Sequence, residues 1–377
     1  MKVEMESPHK IAGAGALVVG LLVVTSLGIA GFRAHRSGAP SQPSSATAAL
    51  DPNVDQISLI RFASHPQPIP PLSRKKRLER AAGRLGLTLV VGPLRALPLP
   101  YARAVGRGVG ILLYGALRRY RRVAHKNLRL VYGAQFDDAT RARMAREVFI
   151  HFGQAAAEFV KMPQLERDAL DNLCEIDGEE NLRAALEAER GVLIITGHFG
   201  NWEFMSRWLT THGYPLNVVA RRANDPRADR LLTDTRTGGG AQVYNRGNSA
   251  RAVLQCLKRR EIVGLLPDQN AGNVFVPFLG QRTGTVDGPA ILHLRTGAPL
   301  LFCWCVRTPE NRFRITFEPP VVVAPTGDRD ADIATVMTLV NARLEAQIYR
   351  YPTQWLWLHD RWKSSPGVFD PEVVTAT

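Results

Sequence analysis

The stretch Gly191-Val192-Leu193-Ile194-Ile195-Thr196-Gly197-His198-Phe199-Gly200-Asn201-Trp202-Glu203 decides how this chain is read. Its first half is an unbroken apolar run, the pattern of a strand buried on both faces. Its second half is a glycine-rich turn, followed by apolar residues at helical spacing (Trp202, Met205, Trp208, Leu209). A strand that turns into a helix puts His198 at the strand's carboxyl end, where open α/β sheets hold their active sites. His198 and Glu203 then read as a general-base pair, with the carboxylate fixing one tautomer of the imidazole. That pair suits removal of a proton from a hydroxyl as it attacks an acyl donor. The plainer alternative is a buried histidine satisfied by a neighbouring carboxylate.

Working outward, strand-like runs recur at Asn217–Ala220, Gln242–Tyr244, Ile262–Leu266, Leu300–Val306 and Phe313–Phe317. Helical patterns lie between several of them, at Trp202–Thr211, Arg227–Arg236, Ser249–Arg259 and Gly288–Thr296. Upstream, Met144, Val148, Phe149, Phe152, Ala156, Phe159 and Val160 mark a long amphipathic helix over 139–160. The alternation predicts an α/β sheet domain over roughly 76–363. Ahead of it, Ile11 to Phe32 is an uncharged apolar run long enough, at about 20 residues, to span a bilayer. A signal peptide is the competing reading, but the small residues Ala46-Thr47-Ala48 lie too far beyond the apolar run. The expected organisation is an N-terminal transmembrane anchor over 1–36, a Pro/Ser-rich linker over 37–75 ending in the basic Arg74-Lys75-Lys76-Arg77, the domain at 76–363, and a tail at 364–377.

The chain has 377 residues, 45% of them hydrophobic, and a net charge of +14. That balance favours an anionic partner. Nucleic acid is set aside, because the chain shows no zinc-ligand spacing, no aromatic-basic RNA signature and no DNA-reading helix pair. An anionic membrane surface fits better: the apolar stretch Val105–Leu117 runs straight into Arg118, Arg119, Arg121 and Arg122. An ordinary solvated helix end is the alternative. Of the four cysteines, Cys303 and Cys305 would share one strand face with Cα atoms roughly 6.6 Å apart, near the limit for a disulfide, and reduced thiols are expected. A metal site is not expected, since His198 lacks the H-E-x-x-H spacing of a helical zinc pair.

Four blocks together resemble one family. Gly197-His198-Phe199-Gly200-Asn201-Trp202-Glu203 is similar to the H-x-x-x-x-[D/E] motif of the lysophospholipid acyltransferase superfamily, and more specifically to the bacterial lipid A lauroyl and myristoyl transferases and their phosphatidylinositol mannoside relatives. Residues 219–226 (Val219 to Pro226) resemble the family's R-P-x-x-N-P block. Gly264-Leu265-Leu266-Pro267-Asp268-Gln269-Asn270 resembles its DQ block, with Val274–Gly280 behind it. Tyr351–Lys363 resembles its C-terminal P-x-Q-Y-x-W-x-H-x-R signature. The likeness covers roughly residues 84–363. It implies a central mixed sheet flanked by helices, and an O-acyltransferase that moves a fatty chain from acyl carrier protein or coenzyme A to a lipid hydroxyl, with no further cofactor.

In that resemblance His198 is the general base and Glu203 the residue that orients it. Arg221 would stabilise the oxyanion or hold a phosphate, and Asp268 would pair with Arg221 or grip a sugar hydroxyl. Asn201 and Arg222 are further substrate-binding candidates. Such donors are made in the cytosol, so the implied location is the inner membrane with the catalytic domain facing the cytoplasm. The family's Arg-Pro is Arg221-Arg222 here, and its Asn-Pro is Asn224-Asp225-Pro226, which leaves the acceptor open between a lipid A precursor, a related glycolipid, a lyso-glycerophospholipid and a mannosylated phosphoinositide. A thioesterase, with the same pair activating water, is disfavoured by the lack of a G-x-S-x-G elbow.

Overall fold

The computed structural model describes residues 91–223, 226–245 and 249–368. The anchor predicted at Ile11–Phe32, the linker at 37–75 and Asn224-Asp225 of the second block lie outside the described residues. Among the described residues no helix is long and apolar enough to cross a membrane.

After helical residues at 91–96 come three helices: α1 (Leu99–Ala116), α2 (Arg118–Tyr132) and α3 (Asp138–Lys161). Next are α4 (Arg167–Leu173), β1 (Cys174–Asp177), α5 (Glu179–Glu187), β2 (Val192–Ile195), α6 (Trp202–Thr211), β3 (Leu216–Ala220), α7 (Pro226–Gly238), β4 (Gln242–Asn245), α8 (Ser249–Lys258) and β5 (Ile262–Leu265). A hairpin of β6 (Val274–Phe278) and β7 (Gln281–Thr285) follows, then α9 (Gly288–Thr296), β8 (Leu300–Arg307), β9 (Phe313–Phe317) and α10 (Arg329–Arg350). Seven strands form one sheet in the order β1-β9-β8-β2-β5-β3-β4. All its neighbours are parallel except β8 and β9, so the sheet is mixed, as the family resemblance implied.

Strand period explains how one sheet holds two cores. Leu193 and Ile195 of β2 face one side with Phe302 and Trp304 of β8. Val192 and Ile194 face the other with Leu301, Cys303 and Cys305. A register slip of one residue would exchange the two sets, and each fully buried aliphatic side chain contributes about 1.5–3 kcal/mol, so the register is strongly fixed. Cys303 and Cys305 share a face as expected, and all four cysteines are free and buried.

The helical layer over the first core is held closely. A Cβ at Gly106 would run into the Gly153 carbonyl oxygen, and one at Gly110 into that of Phe149, so α1 and α3 approach backbone to backbone. The C-terminal segment after α10 folds back across the sheet: Arg361, fully buried, donates to Thr285 Oγ1 (2.8 Å) and to the Gly284 carbonyl of the hairpin.

Candidate active site

His198 leaves β2 three residues beyond Ile195, and Asp268 leaves β5 three residues beyond Leu265. Those two residues are paired in the parallel register. Adjacent strand ends therefore deliver the imidazole and the carboxylate to the same level. His198 Nδ1 lies 2.8 Å from Asp268 Oδ1, and the His198 backbone N–H donates to Oδ2 at 2.8 Å. The indole of Trp355, from the C-terminal segment, donates to the same Oδ2 at 3.0 Å. Burial pushes the Asp268 carboxyl up, but the imidazole, the Trp355 indole and the His198 N–H outweigh it and hold it down at about 2. An ionised acceptor at Nδ1 makes Nδ1 the protonated nitrogen and leaves Nε2 with a free lone pair. Gln269 Nε2 is 3.4 Å from that nitrogen, and the His198 side chain is 12% exposed.

The acid that touches the imidazole is thus Asp268, where the sequence reading expected Glu203. Five positions on, Glu203 is in the first turn of α6 and points at α7. There its two carboxylate oxygens take the Arg236 Nε at 3.1 and 3.2 Å. No hydrogen bond or ion pair joins Glu203 to His198 among the described residues. The physical reason is burial: an anion out of water needs a cation or several donors, and Arg236 supplies them. Burial opposes the charge of the Arg236 guanidinium, but the Glu203 carboxylate outweighs it and raises the affinity of Arg236 for its proton.

Asn201 caps α6 by accepting from the Phe204 N–H (3.1 Å), while its amide donates to Glu158 (2.6 Å). Glu158 of α3 is fully buried between Arg103 of α1 (2.6 Å) and both Nη atoms of Arg307 at the end of β8 (2.6 Å). Burial favours its neutral form, but the two guanidiniums prevail and lower its pKa. The backbone of the turn is clamped at three residues: the Gly200 N–H donates to Gln354 O (2.8 Å), the Asn201 N–H to Cys305 O (2.8 Å), and Leu356 N–H to His198 O (3.1 Å). His151 Nε2 lies 2.9 Å from the Gly200 carbonyl, which only an N–H can satisfy. Gly200 has φ +57°, and a Cβ there would collide with Cys305 O, so only glycine fits.

Arg221 and Arg222 follow β3, the next strand beyond β5, and both are exposed. Neither is a partner of Asp268, whose bonds are taken by His198 and Trp355. His359 accepts from the Asn270 N–H (3.0 Å), and burial lowers its pKa to about 4. Among the described residues no three His, Cys, Asp or Glu side chains come together as a metal site. A cavity of about 300 Å³ bounded by Trp304, Arg314, Gln347 and Arg350 contains none of these groups, so the geometry of the turn, not cavity size, marks the site.

Sequence reasoning gave Trp355, Gln269 and His359 no role, although all three lie in the quoted blocks. It missed Glu158, Arg103 and Arg307 altogether. A glutamate inside the apolar face of the 139–160 helix was the available signal, since a buried carboxylate demands cations.

A carboxylate-paired histidine at the strand ends of an α/β sheet, where such sheets hold their active sites, is an arrangement suited to general-base chemistry. The family model described as bacterial lipid A biosynthesis acyltransferase matches residues 75–364, and the chain belongs to that family: it is an acyltransferase. It is 27% identical over 275 residues to the lipid A biosynthesis palmitoleoyltransferase of Escherichia coli K12, covering 72% of this chain and 87% of that protein. The lauroyltransferase of the same organism is also 27% identical, over 276 residues, with 72% and 88% covered. The phosphatidylinositol mannoside acyltransferase of Mycolicibacterium smegmatis is 27% identical over 238 residues, covering 60% and 73%.

Proposed function

We propose that this enzyme transfers a fatty acyl chain from a thioester donor, acyl carrier protein or coenzyme A, to a hydroxyl of a lipid A precursor or related glycolipid. His198 Nε2 takes the hydroxyl proton as the oxygen attacks the thioester carbonyl, and a C–O bond forms. The tetrahedral intermediate collapses, the C–S bond breaks, and the leaving thiolate recovers the proton from the imidazolium. Asp268 keeps Nδ1 protonated and stabilises the positive ring. Glu203 acts at one remove, tying α6 to α7 through Arg236. Arg221 and Arg222 hold a headgroup phosphate, and Arg221 is also the cationic candidate for the oxyanion. The reaction takes place at the inner membrane, on its cytoplasmic side, where thioester donors are made.

The observation that carries this reading is the 2.8 Å contact between His198 Nδ1 and Asp268, which leaves the Nε2 lone pair to act as base. The test is incubation of the purified protein with labelled acyl carrier protein or coenzyme A thioesters and candidate lipids, with the product identified by mass spectrometry. A lipid carrying one added ester-linked chain is expected. Free fatty acid undiminished by added lipid would instead make the enzyme a thioesterase. A mannosylated phosphoinositide is the second acceptor to be tried, because the mycobacterial relative matches at the same identity as the lipid A enzymes.

A further inference from the structure

We infer that α1 and the arginine-rich start of α2 form the face by which this enzyme lies on an anionic bilayer, with α1 in the plane of the interface. The inference rests on the acyltransferase reading only in expecting a bilayer near the acceptor. Of the seven large hydrophobic residues exposed in the described chain, four are on α1: Tyr101 (65%), Val105 (41%), Ile111 (37%) and Leu112 (62%). Tyr101, Val105 and Leu112 fall on one stripe, at i, i+4 and i+11, with Gly108 completing it. The opposite side of the helix is used up in packing, with Ala102, Arg103, Gly106, Gly110 and Leu113 buried. Nothing of this chain among the described residues covers the apolar stripe of this closely packed helix.

The charge around it selects the partner. From Leu99 to Tyr132 there is no Asp or Glu. Arg107, Arg118, Arg119 and Arg122 are exposed and make no ion pair among the described residues. Cations beside an apolar stripe match a surface of anionic headgroups over acyl chains, whereas an acidic protein would match the cations alone. At 18 residues with Arg107 inside it, α1 is about 27 Å long and does not suit a spanning helix, so it lies flat.

The face is also joined to the site. Asn127 of α2 donates to the carbonyls of Trp357 (2.9 Å) and His359 (2.7 Å), and Lys126 reaches Asp360 (3.1 Å). These belong to the segment whose Trp355 holds Asp268. On the inner side of α1, Arg103 bonds Glu158, which bonds Asn201 of the catalytic turn. A bilayer under α1 and α2 would therefore be fixed in position relative to His198.

Buried native cysteines make the test direct, because a single surface cysteine can be labelled alone. Full-length protein carrying Leu112→Cys or Val105→Cys, and Glu310→Cys as an exposed control on the β8–β9 turn, is labelled with an environment-sensitive fluorophore. Each is reconstituted into phosphatidylcholine vesicles with or without about one third phosphatidylglycerol. In the anionic vesicles, labels at 105 and 112 should shift to the blue and be quenched by acyl-chain-brominated lipid, while the label at 310 stays water-like. Adding Arg118→Ser, Arg119→Ser and Arg122→Ser should bring quenching at 112 down to the level at 310. Water-like emission at 105 and 112 in anionic vesicles overturns the inference. So does a blue shift produced only by an acidic acyl carrier protein without vesicles. Acyl transfer to detergent-dispersed lipid, measured on the same samples, separates the two claims: quenching with no transfer fails the proposed function alone, and transfer with no quenching fails the docking face alone.

Discussion

Replacing Asp268 by Asn probes the alignment of the base with almost no change in shape. Asp268 receives three N–H donors: the imidazole and backbone of His198 and the Trp355 indole. An asparagine has one oxygen to offer. If that oxygen takes the two donors on the Oδ2 side, its NH₂ faces Nδ1 and donates, which moves the ring proton to Nε2 and removes the base. If it is turned the other way, NH₂ meets two N–H groups and the negative charge is still lost. The charge alone is worth about 4 kcal/mol to the imidazolium, taking charge centres about 4 Å apart at an effective dielectric near 20. That is roughly 10³-fold in rate. The assay is steady-state acyl transfer on Asp268→Asn and Glu203→Gln, with thermal melting to confirm folding. Asp268→Asn should lose roughly 10³-fold in kcat and little in KM, while Glu203→Gln should stay within about tenfold in kcat and lose about 3 kcal/mol of stability, because buried Arg236 loses its partner. The reverse ranking, with Glu203→Gln inactive and Asp268→Asn near normal, would refute the alignment by Asp268.

Other outcomes follow from the same contacts. Glu158→Gln leaves Arg103 and Arg307 buried without a counter-charge and should cost about 3–5 kcal/mol, read by denaturant unfolding. Gly200→Ala forces a methyl against Cys305 O at φ +57° and should yield little folded protein, or a melting temperature well below the parent's. Burial, with Arg307 adding to it, lowers the His151 pKa to about 4, and burial does the same for His359. Their neutral forms therefore stabilise the fold fully above pH 6.5. Below that, the unfolded chain binds protons that the folded chain refuses, and stability should fall toward pH 4 by about 1.4 kcal/mol per unit for each histidine. Equilibrium unfolding across that range should show the slope, and a flat profile would remove both histidines from this account.

The strands of the central sheet were legible because burial on both faces writes them as continuous apolar runs. β2, β5 and β8 are the plainest cases, and all six expected strands are present. The expectation lacked β1, four residues whose outward positions are polar, and the β6–β7 hairpin, which Arg361 from the far end of the chain bonds at Thr285. His198 was legible from its turn. Its partner was not, because contact between His198 and Asp268 follows from strand order: β5 lies beside β2 with three helices and two strands between them in the chain. Glu203 was the nearer carboxylate in sequence, but helix geometry aims it at α7. The C-terminal block was recognisable as a block, yet its work, an indole on Asp268 and carbonyls on Asn127, is a property of how it folds back.

The central claim is that one imidazole nitrogen takes the acceptor's proton, and single-turnover acyl transfer by His198→Gln tests it most directly. With labelled thioester and lipid mixed with excess enzyme, the variant should fold as the parent does and form the ester at least about 10²-fold more slowly. Ester formation at the parent's rate would contradict the account.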